Sequence, residues 1–398
     1  MTDSPPITPR AKADLAVALR AEAVRLGFSR IGIAAAAPPL RQDVFRQWIA
    51  QGHAGVMEVW LKRHEPLRGD PRSLLPGART VIMLATDYST EVPAGTNAAV
   101  AEPVSQDSGR GRVSRYAWGD DYHDLLRGRV NRLAAWLEQQ VPGCRSRGVV
   151  DSAPLAEREF GWLAGLGWFG KNTMLIHPAA GSFFFLTGLL TDLELPVDEP
   201  IKVDHCGTCT ACLDACPTGA LPAPRVLDAR KCISALTIED HGPVPAALRS
   251  GLGDWVFGCD ICQDVCPWNR HAPVSHEPAF QPRGGEATLS LAEILSFDEA
   301  GFRQRFKGSP ILRAKRAGLA RSAAIALGNQ PDPATAAALE QALRDPEPMV
   351  REAAAWALGQ WIEKGVEPEW ARDLLRGYAH SSVSSTSADG SRPGASTA

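Results

Sequence analysis

The chain has 398 residues, of which 44% are hydrophobic and 22% charged, as is typical of a globular protein with two or three domains. A net charge of -3 excludes nucleic-acid binding through an overall positive charge, so such a partner would need a local basic patch. No stretch approaches the ~18 consecutive apolar residues of a membrane span, and residues 1–10 lack the apolar core of a signal peptide. We therefore expect a cytoplasmic protein with no membrane partner.

Helical and strand patterns alternate along the first half of the chain. Residues 8–27 have an amphipathic pattern that ends at Gly27, a residue type typical of the position after a helix. Pro154 is typical of a first helical turn. The other predicted elements are strands at 31–36, 80–87 and 147–151, helices at 40–51 and 121–140, and a strand–turn–strand unit at 181–195. This alternation predicts an α/β domain over residues 1–195, with a loop at 89–111.

The rest of the chain changes in character twice. Residues 196–272 are rich in cysteine, and residues 273–378 are helical and rich in alanine. The sequences RSAAIALG and REAAAWALG, starting at residues 321 and 351, recur at an offset of ~30 residues and predict a pair of HEAT-like repeats. Two such repeats cannot bury a core alone, so they must pack on the rest of the chain. The serine-rich residues 379–398 are predicted to be disordered, and the fold class as a whole is α+β multidomain.

Eight of the nine cysteines are spaced like the ligands of two [4Fe–4S] clusters. The first four follow the bacterial ferredoxin run C-x2-C-x2-C-x3-C-P, whose fourth cysteine binds the other cluster. The second run lacks one cysteine, which the isolated Cys232 can supply. The predicted ligand sets are Cys206, Cys209, Cys212 and Cys266 for cluster 1, and Cys216, Cys232, Cys259 and Cys262 for cluster 2. Two zinc sites with four thiolates each are the alternative.

Two clusters in series indicate one-electron transfer toward a further redox centre. The chain has no G-x-G-x-x-G after a strand, so a classical NAD site is not expected, and we look for the electron acceptor within residues 1–195. The ninth cysteine, Cys144, is expected to pack as a small buried hydrophobic residue.

Several short motifs complete the pattern. They are Arg63-His64, SRYAWGDDYH at 114–123, DSAPLAER at 151–158, GLGWFGKN at 165–172, KCISALTIE at 231–239 and KGSPILRAKR at 307–316. With the cysteines, they resemble the epoxyqueuosine reductases, cobalamin-dependent iron–sulfur enzymes of tRNA queuosine synthesis. The resemblance implies a cobalamin-binding domain, a ferredoxin-like domain and a HEAT-like tRNA-binding domain. It also implies the last step of queuosine synthesis, the two-electron reduction of epoxyqueuosine at the wobble position (34) to queuosine with loss of water.

The resemblance also implies roles for individual residues. Asp151 becomes the proton donor, and we expect burial to raise its pKa, although an aspartate before a helix can also be a simple cap. The implied cobalamin contacts are Arg63, Ser114, Arg115, Tyr116, Asp151, Gly167, Trp168, Gly170, Lys171, Asn172, Ser182 and Ser234. The alternatives are a plain turn at the glycines, surface ion pairs for Arg63 and Arg115, and a Ser234 hydroxyl bonded to the backbone of its own helix.

The chain lacks the D-x-H-x-x-G motif through which many proteins bind cobalamin. Asp121 and His123 match its start, but Leu126 replaces the glycine. We therefore expect cobalamin bound without a histidine ligand, as cob(II)alamin at rest and cob(I)alamin when active. His123 is expected to be structural.

A basic stripe with no acidic residue follows the cysteine-rich part. It consists of Arg303, Arg305, Lys307, Arg313, Lys315, Arg316 and Arg321. It is either a solvated helix face or, as the resemblance implies, a grip on the anticodon stem of tRNA. Trp118 or Trp168 could stack on the flipped base, with core packing as the alternative. We expect a monomer that receives electrons from an unidentified low-potential donor.

Two other functions fit parts of the sequence. A different cobalamin iron–sulfur reductase, such as a reductive dehalogenase, would share the clusters but have no use for the repeats and the basic stripe. A protein that only carries electrons or cobalamin would bind the same cofactors without turnover.

Overall fold

The computed structural model of the chain describes residues 8–91, 109–285 and 287–386, so the predicted loop at 89–111 lies mostly outside it. Within these ranges, none of the helices combines the length and the apolar character needed to cross a bilayer. The strands are β1 (Arg30–Ala35), β2 (Thr80–Asp87), β3 (Arg110–Val113), β4 (Ser146–Val149), β5 (Trp168–Phe169), β6 (Leu175–Ile176), β7 (Phe184–Thr191), β8 (Trp255–Phe257) and β9 (Thr288–Ser290). The helices are α1 (Pro9–Arg25), α2 (Gln42–Ala50), α3 (Glu58–Arg68), α4 (Tyr122–Gln140), α5 (Glu157–Leu163), α6 (Ala211–Asp214), α7 (Ile233–Ile238), α8 (Ala246–Arg249), α9 (Ile261–Asp264), α10 (Leu291–Ser296), α11 (Glu299–Arg305), α12 (Lys315–Asn329), α13 (Ala336–Ala342), α14 (Pro348–Glu363) and α15 (Pro368–Thr386).

Four strands form an antiparallel sheet in the order β1-β2-β7-β4. The predicted α/β domain would normally contain parallel strands, so the antiparallel pairing corrects that expectation. Residues 181–195 also contain one strand, β7, rather than two strands joined by a turn. Gly188 stays inside β7 because an added Cβ would lie 2.7 Å from Val149 Cγ2, so this glycine serves close packing and not a turn.

Both faces of this sheet are buried, and the residues of β2 alternate between them. Ile82 and Leu84 face α1 and α4, where they join a core with Leu133. Val81 and Met83 belong to a second core on the side of α5. Since β2 has no solvent-facing side, its sequence is a continuous apolar run rather than an alternating one.

A second sheet joins segments that are far apart in sequence. β3 pairs in parallel with β8 and in antiparallel with β9. The hydrophobic core around it includes Val113, Leu236, Phe257, Leu319 and Trp361. This core crosses the predicted boundaries at residues 195 and 272, so the middle of the cysteine-rich segment packs together with the helical part.

Helices α12 and α14 contain the two alanine-rich repeats and pack against each other. An added Cβ at Gly328 would lie 2.5 Å from Trp356 Cζ3, so a glycine is required for this close approach. Trp361 is fully buried and donates its indole N–H to the carbonyl oxygen of Leu327 over 2.8 Å. The shared core supports the prediction that the repeats pack on the rest of the chain.

The end of the helical part lies later than expected. We predicted a disordered tail from residue 379, but α15 continues to Thr386. The segment from 379 to 386 contains no glycine or proline that would end a helix. Residues 387–398 of the predicted tail lie outside the described residues.

Candidate active site and cysteine groups

Four cysteines, separated by up to 60 positions in sequence, line one cavity of about 250 Å³. They are Cys206, Cys209, Cys212 and Cys266, and the cavity is closed on other sides by Ile176, Pro267 and Trp268. A zinc site holds its sulfur ligands only ~2.3 Å from one ion. A cavity of this size with four thiols fits an iron–sulfur cluster better than a single zinc ion.

The other four predicted cluster ligands lie next to this cavity. Burial raises the pKa of Cys262, and the thiols of Cys232, Cys212 and Cys216 raise it further. Burial also raises the pKa of Cys259, with added effects from Cys262 and Cys232. Because such electrostatic effects weaken with distance, Cys216, Cys232, Cys259 and Cys262 form a second group. The effect of Cys212 on Cys262 places the two groups side by side.

The β5–β6 hairpin holds the cysteine loops through two polar side chains. The Lys171 ammonium donates hydrogen bonds to the carbonyl oxygens of Gly207 and Cys209, over 2.7 and 2.8 Å. The buried Asn172 donates its amide N–H to the carbonyl oxygen of Cys262 over 3.1 Å. These bonds give both side chains a structural role, and the cobalamin contacts that the resemblance implied for them stay predictions.

The same hairpin explains the glycines and the tryptophan of the 165–172 motif. An added Cβ would lie 2.5 Å from the Ile176 oxygen at Gly167, and 2.4 Å from Ile176 Cδ1 at Gly170. Both glycines therefore serve the packing of the hairpin, and the cobalamin contacts implied for them stay predictions. Trp168 is 2% exposed and packs edge-on against Trp268 beside cluster 1, so it is a core residue and cannot stack on a base.

Ser182 also belongs to a structural network. Its backbone N–H donates to Asn269 Oδ1 over 2.6 Å, and the Asn269 amide donates back to Ser182 Oγ over 3.0 Å. Gln263 donates to the carbonyl oxygen of Ser182 over 3.1 Å. This buried network fixes the segment before β7 to the loop between Cys262 and Cys266, and the cofactor contact implied for Ser182 stays a prediction.

Ser114 and Arg115 contact the loop that contains two ligands of cluster 2. The Ser114 hydroxyl and the Arg115 backbone N–H both donate to the carboxylate of Asp260, which lies between Cys259 and Cys262. The Arg115 guanidinium forms a 2.7 Å ion pair with Asp264. These side chains join β3 to the cysteine loop, and the cobalamin contacts implied for them stay predictions.

Asp151 lies two residues after β4 with a φ of 45°, a conformation that aspartate adopts uncommonly. Its Oδ2 accepts hydrogen bonds from the Tyr122 hydroxyl over 3.2 Å and from His123 Nε2 over 3.0 Å. Its backbone N–H donates to Glu157 over 2.9 Å, and His123 Nδ1 lies 2.7 Å from Asp121 Oδ1. These five residues form what we call the Asp151 cluster. The Asp151 side chain is 58% exposed and therefore open to a ligand.

The charges in the Asp151 cluster differ from the sequence-based expectation. The hydrogen bond from His123 is the largest cause that lowers the pKa of Asp151, and it outweighs burial. Burial acts to lower the pKa of His123, but its bonds to Asp121 and Asp151 raise that pKa to about 9. Burial raises the pKa of Glu157 to about 8. The pKa of Asp151 is thus lowered by its neighbour His123, whereas the sequence led us to expect a value raised by burial.

An ion pair and a tyrosine lie beside the Asp151 cluster. Arg313 donates to both carboxylate oxygens of Glu239, and the charge of Arg313 also acts to lower the pKa of Asp151. The ring of Tyr116 lies 6.1 Å from that of Tyr122, and burial followed by the charge of Asp151 raises its pKa. Arg313 of the basic stripe is thus part of the site itself.

Three of the predicted cobalamin residues keep polar groups available. Arg63 is exposed on α3, Tyr116 is partly exposed, and Ser234 follows Cys232 in α7. Within the described residues, none of their side chains makes a hydrogen bond or ion pair. Helix α3 is attached to the loop of Asp151 because Arg68 donates to the carbonyl oxygen of Leu155 over 2.9 Å.

The basic stripe does not form one surface. Arg316 is 7% exposed and forms a bidentate ion pair with Asp345, and Arg321 is fully buried. Both are structural, which corrects their assignment to tRNA. The remaining cations reach solvent. Three of them form ion pairs: Arg303 with Glu299, Arg305 with Glu293, and Arg313 with Glu239. Lys307 and Lys315 are exposed and form no ion pair within the described residues.

Replacing Arg321 with methionine is expected to destabilise the fold by ~3 kcal/mol or more. Its guanidinium donates to the carbonyl oxygens of Leu236, Asp240 and Gly242, which would lose buried hydrogen bonds. Urea unfolding measures the change, with the exposed Arg344→Met as the control. Equal stability of the two variants would contradict the structural role of Arg321.

Sequence reasoning missed several contacts of the site. His123 was taken as structural, and Tyr122, Glu157 and Glu239 were given no role, although all four lie inside the quoted motifs. The position of these residues within the motifs was the sequence signal that could have identified them as part of the site. Trp118 is buried and donates its indole N–H to the Val113 oxygen, which matches the core packing given as its alternative. Cys144 packs against the first core as expected, although it is only partly buried.

Comparisons with known proteins agree with this architecture. Family models match for the epoxyqueuosine reductase QueG at residues 68–152, a 4Fe–4S double cluster binding domain at 205–269 and HEAT repeats at 310–388. An epoxyqueuosine reductase of Xanthomonas campestris pv. campestris is 41% identical over 348 residues, covering 87% of this chain and 96% of that relative. A crystal structure of epoxyqueuosine reductase with an epoxyqueuosine-modified tRNA-Tyr stem loop superimposes with a TM-score of 0.80 at 30% identity, over 91% of this chain and 99% of that one. A structure of the Bacillus subtilis epoxyqueuosine reductase, with a catalytic loop swung out of its active site, superimposes with a TM-score of 0.79 at 29% identity. The match covers 91% of this chain and 98% of that one.

The fold, the two cysteine groups and the family matches define an oxidoreductase with two [4Fe–4S] clusters and HEAT repeats. The chain belongs to the epoxyqueuosine reductase family. Enzymes of this family depend on cobalamin in addition to the clusters, and the cofactor prediction is confirmed at that level.

Proposed function

We propose that this enzyme reduces epoxyqueuosine at the wobble position of tRNA to queuosine, with electrons that pass through two [4Fe–4S] clusters. Family membership supports the reaction, and the relative bound to a modified stem loop supports the substrate. The observation that carries the chemistry to this chain is the position of Asp151, whose accessible carboxylate accepts two hydrogen bonds and whose backbone N–H donates a third. A tRNA substrate supports a cytoplasmic location, and we propose that a low-potential donor there supplies the electrons.

Asp151 delivers protons to the epoxide oxygen. Ring opening places negative charge on that oxygen, and a positioned acid typically accelerates such a step by ~10²–10⁴-fold. Tyr122 and His123 fix the carboxylate, and Glu157 fixes the backbone of the loop. The strained φ of Asp151 and the catalytic loop that swings out in the B. subtilis relative both support a loop that moves during turnover.

The available polar groups fit cobalamin, whose corrin carries amide side chains that donate and accept hydrogen bonds. When bound, cobalamin supplies the reduced cobalt centre that passes electrons to the substrate. Arg63, Tyr116 and Ser234 would hold it, since their polar groups have no other partner in the described residues. His123 is not available to cobalt, because both of its ring nitrogens are bonded to carboxylates.

The positions of the cysteine groups support a direction of electron flow. Cys209 of cluster 1 is exposed, which makes this cluster the entry point for the electron donor. Asp260 of the cluster 2 loop accepts a hydrogen bond from Ser114, two residues before Tyr116. The charges of both Asp260 and Asp151 act on the pKa of Tyr116, after burial. Cluster 2 therefore faces the Asp151 cluster and passes electrons onward.

We propose that Lys307, Arg313 and Lys315 grip the tRNA backbone, with Arg303 and Arg305 at the edge. Lys315 is exposed at a φ of 60°, a strained conformation that is typical of functional positions. The triple variant Lys307→Gln, Arg313→Gln, Lys315→Gln is expected to bind tRNA more weakly. The slope of log affinity against log salt should fall by about 2–3, since each lost phosphate contact contributes about 0.7–0.9.

A matched triple variant, with one position just after α13 and two in α15, keeps the salt experiment interpretable. It removes the same charge from exposed positions with Arg344→Gln, Arg372→Gln and Arg376→Gln. Fluorescence anisotropy with a labelled tRNA, over a range of salt concentrations, measures both slopes. If the two triple variants had equal slopes, Lys307, Arg313 and Lys315 would not form the tRNA-binding surface.

An anaerobic assay tests the proposed reaction directly. It combines the purified chain, epoxyqueuosine-containing tRNA, a low-potential reductant and added cobalamin, and it measures queuosine by mass spectrometry of the digested tRNA. Conversion that requires both cobalamin and reductant is expected. Full loading with clusters and cobalamin but no conversion would favour a carrier of electrons or cobalamin instead.

A further inference from the structure

His123 lies between two carboxylates, and this geometry defines its protonation. Its Nδ1 is 2.7 Å from Asp121 Oδ1, and its Nε2 is 3.0 Å from Asp151 Oδ2. An ionised carboxylate only accepts hydrogen bonds, so both ring nitrogens must carry a proton. The imidazole is therefore a cation whose Nε2 proton already points at the proposed proton donor.

The proposed reaction needs more protons than one carboxyl group holds. Reducing an epoxide to an alkene consumes two electrons and two protons and releases one water. Asp151 is ionised at rest because His123 lowers its pKa, so it must be loaded before each transfer. A proton source in direct contact with its carboxylate is therefore required.

We propose that His123 supplies both protons to Asp151 in each turnover, an inference that rests on the function proposed above. The Nε2–H bond of His123 breaks and an O–H bond forms on Asp151 Oδ2, which then gives this proton to the epoxide oxygen. Asp121 keeps accepting the hydrogen bond of the remaining Nδ1–H, and solvent at the partly exposed His123 and Asp151 side chains restores the Nε2 proton. A second pass protonates the leaving hydroxyl, which departs as water.

The neighbouring groups are less suited to this role. Tyr122 donates to Asp151, but burial raises its pKa, so losing that proton is costly. Glu157 contacts only the backbone of Asp151. The other titratable or charged groups that face the two carboxylates are Arg127 next to Asp121, and Arg313 and Tyr116 next to Asp151. His123 is thus a positioning residue that acts through Asp151.

The first experiment reads His123 without turnover. The full chain, with its clusters and ¹³C-labelled histidine, is titrated by NMR, and His123→Gln assigns the signal. We expect a midpoint near pH 9, as the pKa of about 9 indicates. Asp121→Asn should lower it by ~1 unit or more while preserving the helix cap, since asparagine caps as well as aspartate.

The second experiment reads the pH dependence of turnover. Below pH 9 the imidazole is protonated, so kcat of the wild-type enzyme should fall as the pH rises through about 9. His123→Gln keeps a neutral amide beside Asp151 but cannot supply protons. Its kcat should be ~10²-fold lower with KM little changed, and the fall near pH 9 should be absent. His276→Gln, at an exposed histidine outside the site, is the matched control.

The outcomes separate this proposal from the proposed function. A His123 midpoint near 6.5, or a His123→Gln variant with the kcat and pH profile of the wild type, would overturn the proton supply by His123. Wild-type protein that fails to convert epoxyqueuosine would overturn the proposed function, and the NMR midpoint alone would then decide whether His123 holds a proton for Asp151.

Discussion

Asp151→Asn is expected to lower turnover by ~10²–10⁴-fold while both clusters remain bound, because the amide has no proton to transfer. Asparagine is among the few residue types that tolerate a φ of 45°, so the loop should keep its conformation. It can also still accept the hydrogen bonds of Tyr122 and His123. Single-turnover assays with epoxyqueuosine-tRNA measure the loss, and iron and sulfide analysis measures the clusters.

The matched control is Asp124→Asn, which changes an exposed carboxylate in the first turn of α4. Its only ion pair within the described residues is with Arg127, and its side chain is 84% exposed. It should retain wild-type turnover. If Asp151→Asn turned over within about twofold of the control, Asp151 would have no part in proton transfer.

The local elements were largely predictable from sequence, but their arrangement was not. The buried run at 80–87 forms β2 with the predicted bounds, because a strand covered on both faces is apolar throughout. Whether its neighbours run parallel or antiparallel depends on contacts between distant segments. The pairing of β3 with β8 and β9 is of the same kind, and no pattern near residue 110 indicates it.

The cysteine ligands were predictable because their chemistry imposes a spacing, whereas the surrounding polar residues were not. A lysine or an asparagine in a glycine-rich loop looks equally suited to a cofactor and to a backbone carbonyl. The structure shows that Lys171 and Asn172 bind carbonyl oxygens of the cysteine loops. Likewise, nothing in the stripe itself distinguishes the buried Arg321 from the exposed Lys315, since burial is decided by how α12 packs.

The protonation of the site was the least predictable feature. A carboxyl group expected beside a corrin suggests a raised pKa, but the Asp151 side chain instead contacts His123, which lies 28 positions earlier in the chain. The charge of the pair then sits on the histidine. A single short contact therefore reversed the direction of the pKa shift of Asp151.

Cys262→Ala is expected to remove cluster 2, abolish turnover and also destabilise the chain. Cys232 begins α7 and Cys259 follows β8, so the cluster 2 ligands are attached to the core shared with the helical repeats. Losing the bonds to iron releases those segments. Iron content should fall to about half, and the melting temperature should fall with it.

Cys209→Ala is the matched variant, because it removes an exposed ligand of cluster 1, outside that core. It should also lose about half of the iron, and it should lose turnover when a protein supplies the electrons. Its melting temperature should stay close to that of the wild type. A small reductant that reaches cluster 2 directly should restore turnover to Cys209→Ala but not to Cys262→Ala. If the small reductant restored turnover only to Cys262→Ala, the proposed order of the clusters would be reversed, and cluster 2 would be the entry point for electrons.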